Sequence, residues 1–138
     1  MIRRMSHATI YVLDQDSAKD FYVDKLGFEL YGDEAFGEGQ RWLTVGPKGQ
    51  PDLVFTLMAV AEGPHLPKEK VEVLRELVES HTFGIGVLET DDARKEYETL
   101  SAKGVEFVRP PEEQFYGIEA LFRDDSGNWF SLTQRTTS

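Results

Sequence analysis

Apolar positions in this chain change their spacing in an orderly way. Residues 9–13 are a run of mainly β-branched and aromatic types bounded by Asp14 and Asp16, which predicts a strand. Alternation puts His7, Thr9, Tyr11 and Leu13 on one face and Ala8, Ile10 and Val12 on the other. The spacing then becomes helical, with Ala18, Phe21, Tyr22 and Leu26 on one side. Asp16 suits the helix start and Gly27 its exit. Strands are predicted at 28–31, 41–45 and 53–59, separated by GDEAFGEGQ and GPKGQPD, two stretches rich in turn formers. The order is βαβββ.

The order then repeats. Residues 82–88 predict a strand whose Thr82, Gly84, Gly86 and Leu88 match the His7 face. Asp91 suits the start of a helix that turns Ala93, Tyr97 and Leu100 inward and ends at Gly104. Strands follow at 105–109, stopped by Pro110-Pro111, at 117–123 and at 129–133. Val12-Leu13 falls on Val87-Leu88 and Asp16 on Asp91 at an offset of 75, and Gly27-Phe28-Glu29 on Gly104-Val105-Glu106 at 77. That difference predicts a second helix, or helix exit, two residues longer than the first. A repeat of this length is one supersecondary unit used twice. The expected organisation is a single domain over 1–138, with a first module at 1–60, a linker at 61–80 and a second module at 81–138. Pro67 opens an amphipathic helix in the linker, striped by Val71, Leu74, Leu77 and Val78.

Composition narrows the function. The net charge of −10 and pI near 4.7 disfavour nucleic acid and anionic membranes, which need a basic face, and leave room for a cationic ligand. The absence of cysteine removes disulfides, thiolate metal sites and a cysteine nucleophile, and fits a cytoplasmic location. The apolar run near the start is too short for a membrane span. Phosphate loops, dinucleotide fingerprints, HExxH and Gly-x-Ser-x-Gly elbows do not occur. Residues 124–128, DDSGN, read as a structural turn rather than a calcium loop.

The paired βαβββ units, the entry VLDQDSAKDFYVDKLGFEL and the ending FRDDSGNWFSLTQ resemble the vicinal oxygen chelate superfamily. That group contains glyoxalase I, fosfomycin-resistance transferases, extradiol dioxygenases and the bleomycin-resistance binding proteins. The resemblance implies an α+β fold of two half-barrel sheets around a cleft, and a homodimer. In active members it also implies one divalent metal held by the first and last strands of each module. His7 matches the first ligand position. Thr56, Thr82 and Ser131 stand at the other three, and His81 is one residue off. One imidazole and three hydroxyls make a poor donor set, so the expectation is no tightly held metal, with His7 its weak remaining ligand.

The candidate catalytic pair is His7 with Glu119, the latter as a base if burial raises its pKa. Candidate ligand contacts are Trp42, Thr56, Thr82, Gly84, Gly86, Tyr116 and Ser131. The two glycines would leave a bare strand on which a flat ligand lies, stacked on Trp42. Each has a bland reading too: a histidine bonded to backbone, a surface carboxylate, a core tryptophan, glycines that admit a neighbouring backbone. His65 is read as solvent-exposed. Three functions fit: a metal-free binder of an aromatic or cationic small molecule in the inter-module cleft, a metal-dependent or acid–base lyase, isomerase or dioxygenase of the same fold, and an interaction module whose cleft is filled by side chains.

Overall fold

The computed structural model describes residues 1–37 and 39–136, apart from the side chain of Phe36. The order is β1 (His7–Val12), α1 (Gln15–Asp20) running on into a π-helical turn (Phe21–Lys25), β2 (Glu29–Phe36), β3 (Gln40–Gly46), β4 (Val54–Ala59), α2 (Lys68–Glu79), β5 (Gly84–Glu89), α3 (Ala93–Ala102), β6 (Glu106–Gln114), β7 (Gly117–Arg123) and β8 (Trp129–Arg135). Two four-stranded sheets result, ordered β1-β4-β3-β2 and β5-β8-β7-β6. In each, the first and last strands of the unit pair in parallel and the rest antiparallel. This is the expected α+β arrangement of two βαβββ units, and the sheets stay open rather than closing into a barrel.

The helix-bearing faces of both sheets join in one core. Ile10, Val12, Leu43, Val45 and Leu57 of the first sheet meet Ala120, Phe122, Phe130 and Leu132 of the second, with Phe21, Tyr22 and Leu100 from the helices between them. Tyr22 sets its ring edge-on to Phe130 at 6.1 Å across the junction. Its hydroxyl donates to Asp124 Oδ2 (2.7 Å). The Asp124 Oδ1 atom accepts from the backbone N–H groups of Ser126, Gly127 and Asn128, so DDSGN is a structural turn, as read. The turn also clamps the first unit: Asn128 Nδ2 donates to Tyr11 O, and Leu13 N donates to Ser126 Oγ.

The helix starts differ from the expectation. Asp14, not Asp16, caps α1 by accepting from Ser17 N (3.0 Å), and Asp92, not Asp91, caps α3 by accepting from Lys95 N (3.1 Å). The true offset between caps is therefore 78, from Asp14 to Asp92. Buried Tyr22 and Leu100 keep it, while the left-handed glycines Gly27 and Gly104 stand 77 apart. The first helix, not the second, thus carries the extra residue, and the π turn absorbs it. Strands are also longer than predicted. β2 continues through GDEAF, and β6 passes through Pro110-Pro111. The prolines fit because β6 is an edge strand whose register breaks between Arg109 and Glu112.

Candidate functional site

With the core between the sheets, the opposite faces are left open, and each carries a cavity. The first, about 640 Å³, is walled by His7, Thr9 and Tyr11 of β1, Trp42 of β3, Thr56 and Met58 of β4, and the loop at 61–66. The seam between β3 and β4 beside it is split. Among the described residues the β3–β4 ladder is registered only at Thr44↔Thr56 and Val45↔Phe55, whereas β7–β8 pair continuously from Gly117↔Arg135 to Arg123↔Trp129. Where the first seam opens, the Gln15 amide at the start of α1 crosses it, donating from Nε2 to Leu57 O (2.8 Å) and Arg41 O (3.3 Å).

Trp42 is 39% exposed, and its ring lies 5.9 Å from that of His7 at 45°. His7 Nδ1 is 2.9 Å from Ser6 Oγ. Gly63 and Leu66 exchange backbone hydrogen bonds, a tight turn that holds exposed His65 at the cavity wall. Arg41 also lines the wall, but its guanidinium is committed to Asp33 (2.8 Å) and Asp16 (2.6 Å), and Lys19 joins at Asp33 (2.9 Å). These hydrogen bonds, from Arg41 and then Lys19, hold the Asp33 carboxyl well below the usual range. With that cation neutralised, Glu34 and Glu62 give the cavity an acidic rim.

The second cavity, about 420 Å³, is shallower and lies on the other sheet, with Gly84, Gly86, Arg109, Glu119, Trp129 and Ser131 among its lining. Glu119 accepts from Arg109 (2.6 Å) and Tyr116 (2.5 Å) at Oε1 and from Ser131 Oγ (2.5 Å) at Oε2. Burial raises its pKa, but the hydrogen bonds from Ser131, Tyr116 and Arg109 and the guanidinium charge outweigh burial and hold it below the ordinary value. Glu119 is therefore an ionised acceptor already holding three donors. The condition for its use as a base, a raised pKa, is not met.

The sequence-predicted residues divide between these faces. His7, Trp42 and Thr56 line the first cavity, and Gly84, Gly86, Glu119 and Ser131 the second, where Tyr116 joins through its bond to Glu119. The expected single cleft is, within one chain, two faces turned away from a shared core. Thr82 lies in neither cavity; it precedes β5, with Oγ1 3.1 Å from Ser80 Oγ. His7 opposes Val54 and Gly84 opposes Trp129 in the parallel pairs, so the mate of His7 is Gly84 rather than Thr82. A register shift between Gly84 and Gly86 also breaks the predicted face: Leu88 packs on the core and Val87 sits opposite Ser131. The pairings Thr56 with Ser131 and Trp42 with Glu119 fit the observed registers.

Gly84 is not a vacancy. A Cβ there would lie 2.6 and 2.7 Å from Cε2 and Cη2 of Trp129, because the indole lies over the glycine. Gly86 faces open space. His81 does not turn into a cavity either. It takes the left-handed position (φ 64°) that ends α2, with His81 N donating to Val78 O and Thr82 N to Leu77 O, and its ring meets Gly127 O. Trp129, Arg109, Gln15 and the 61–66 loop are site features that the sequence reading missed. The two tryptophans of the chain, one on each open face, were the available signal.

The positions that the resemblance assigns to a metal do not fit one. Of them, the first face holds His7 with only neutral, buried Thr56 beside it; on the second, Gly84, which takes the register place given to Thr82, has no side-chain donor, and the Ser131 hydroxyl is already spent on Glu119 and shared with Thr133. Among the described residues no three His, Asp or Glu side chains converge to hold an ion. No helix there is long and apolar enough to cross a membrane.

Comparison with known proteins agrees with the fold. The family described as Glyoxalase/Bleomycin resistance protein/Dioxygenase superfamily matches residues 4–132. The solved structure of UcmS2 is 49% identical, with a TM-score of 0.91, covering 97% of this chain and 99% of that one. That of TnmS3, an antibiotic binding protein from Streptomyces sp. CB03234, is 31% identical, with a TM-score of 0.76 and 98% of each chain covered. An uncharacterised protein of Shewanella frigidimarina (strain NCIMB 400) is 37% identical over 97% of this chain and 95% of its own.

Proposed function

We propose, from the premise that the chain belongs to the Glyoxalase/Bleomycin resistance protein/Dioxygenase superfamily, that it binds a small planar aromatic or cationic molecule without a tightly held metal. The observation that carries this reading is the open cavity on the first sheet. It combines a half-exposed indole with His7 and an acidic rim. The candidate acid–base carboxylate, Glu119, lies on the other sheet and already accepts three hydrogen bonds there. The antibiotic-binding character of TnmS3 supports a binder over a catalyst.

The reading includes a two-fold homodimer. A self-complementary contact that lays the first face of one copy on the second face of the other makes two equal enclosed cavities, each with Trp42 on one wall and the partner's Trp129 on the opposite wall. Burying one aromatic ring there contributes about 2 kcal/mol and stacking roughly 1 kcal/mol; micromolar affinity corresponds to about 8 kcal/mol, so it requires a ligand with more than one ring and polar contacts besides.

Subunit mixing tests this. Calorimetry against a panel of aromatic and cationic compounds should find a micromolar binder, lost in Trp42→Ala and in Trp129→Ala. Co-refolding the two variants should restore roughly a quarter of the sites, because half the dimers are mixed and each mixed dimer has one intact cavity. Sedimentation showing only monomer, or no recovery on mixing, would sink the shared-cavity reading.

A further inference from the structure

Resting on that reading, we propose that Gln15 selects the ligand, by offering a fixed carbonyl acceptor to molecules that carry an O–H or N–H donor on their aromatic body. Gln15 lines the first cavity, at the point where the β3–β4 seam opens. Its Nε2 is held by two backbone carbonyls, Leu57 O and Arg41 O. Carbonyls only accept, so the nitrogen must face them and the orientation of the amide is not ambiguous. The Oε1 atom is left over, and among the described residues it accepts no hydrogen bond.

The internal repeat supplies a control. Gln15 is the first residue of α1, one past its cap Asp14, and Ala93 is the first residue of α3, one past its cap Asp92. The second unit forms the same cap and helix with alanine at that place, its N–H taken by Gln134 Oε1 (3.0 Å). The helix start therefore does not require glutamine. What differs between the units is the split seam with its larger cavity, and Gln15 stands there.

An acceptor enclosed by a ligand must receive a hydrogen bond or lose its water without compensation. A hydroxyl or protonated amine satisfies it, whereas an ether oxygen or a carboxylate does not. Glu34 and Glu62 on the same cavity favour the donor-bearing and cationic forms further. The ligand class is thus a planar aromatic with a phenol-type hydroxyl or an ammonium directed at the floor beneath β3 and β4.

The experiment compares 2-naphthol with 2-methoxynaphthalene by calorimetry on the wild type, Gln15→Ala and Gln15→Met, with thermal melts to confirm folding. The wild type should prefer 2-naphthol roughly ten-fold. Gln15→Met, which fills the space with only a weak thioether acceptor, should bring the preference close to one, and Gln15→Ala should do likewise. If both compounds weaken together and the preference persists, Gln15 only braces the seam and the inference is overturned. Equal binding of the two by the wild type overturns it while leaving the aromatic cavity intact. If neither compound binds, both readings fall.

Discussion

Replacing Gly84 by alanine tests the placement of Trp129 directly. The added Cβ would sit 2.6–2.7 Å from two atoms of the indole and closer still to Cζ2. Carbon contacts settle near 3.5–4.0 Å, so the ring must withdraw by about 1 Å or swing off the strand. Overpacking of this kind costs about 1–3 kcal/mol. Removing a glycine from a strand returns roughly 0.5–1 kcal/mol. The net loss is then about 0–2.5 kcal/mol. For 138 residues, with an unfolding entropy of about 2.1 cal/mol/K per residue, each kcal/mol lowers the melting temperature by about 3–4 °C. A fall of up to about 9 °C is expected, and a melting temperature about 3–10 °C below that of a glycine-to-alanine change with no clash. The control is Gly86→Ala two residues on, where a Cβ meets nothing within 4 Å and the change should be neutral or stabilising by up to about 1 kcal/mol. In a Trp42→Phe background Trp129 is the one remaining indole, and its emission should shift to the red in Gly84→Ala but not in Gly86→Ala. Equal melting temperatures and unchanged emission in the two variants would refute the stacked arrangement.

Three further outcomes are expected. The carboxyl of Glu119 is held below its ordinary pKa, so it contributes stability that is present above the unfolded value of about 4.3 and lost as pH falls through the folded value; Glu119→Gln should melt lower than wild type at pH 7, the gap should narrow by pH 3, and a gap independent of pH would contradict this. Tyr22→Phe removes a buried hydroxyl from the Asp124 carboxylate and should cost about 1.5–3 kcal/mol in urea denaturation; no loss would mean that Asn128 Nδ2, which also donates to Asp124 Oδ2 (3.0 Å), satisfies that oxygen alone. Protein purified without chelators should carry well under one equivalent of divalent metal by elemental analysis, and near-stoichiometric metal that disappears in His7→Ala would reverse the reading of the donor set.

The alternation of strand and helix was legible because periods of two and 3.6 leave different traces, and because the chain writes them twice. What the pattern misplaced has local physical causes. Both helix starts offer two aspartates within two positions, and the cap goes to the carboxylate that meets an N–H three residues on, Asp14 and Asp92. Nothing in FYVDK marks a π turn, so its extra residue was assigned to the wrong helix. Gly84 reads as empty space until Trp129, distant in sequence and adjacent in the sheet, folds over it. The division of the site was hidden for a similar reason. Both faces of β1 carry apolar residues, Ile10 and Val12 on one and Tyr11 on the other, and only packing against the second sheet decides which face becomes core.

The turn at 124–128 has a consequence for how the molecule comes into being. It supplies the donor for Tyr11 O and the acceptor for Leu13 N, partners 117 and 113 residues away along the chain, and it meets the Tyr22 hydroxyl across 102 residues. A growing polypeptide therefore makes its first strand and first helix long before the groups that finish them exist. Until residues 124–128 are made, the Tyr22 hydroxyl and those two backbone groups bond water instead, and loop closure over more than a hundred residues is expected to complete both units late. The two repeats are alike in plan, yet neither is expected to mature alone.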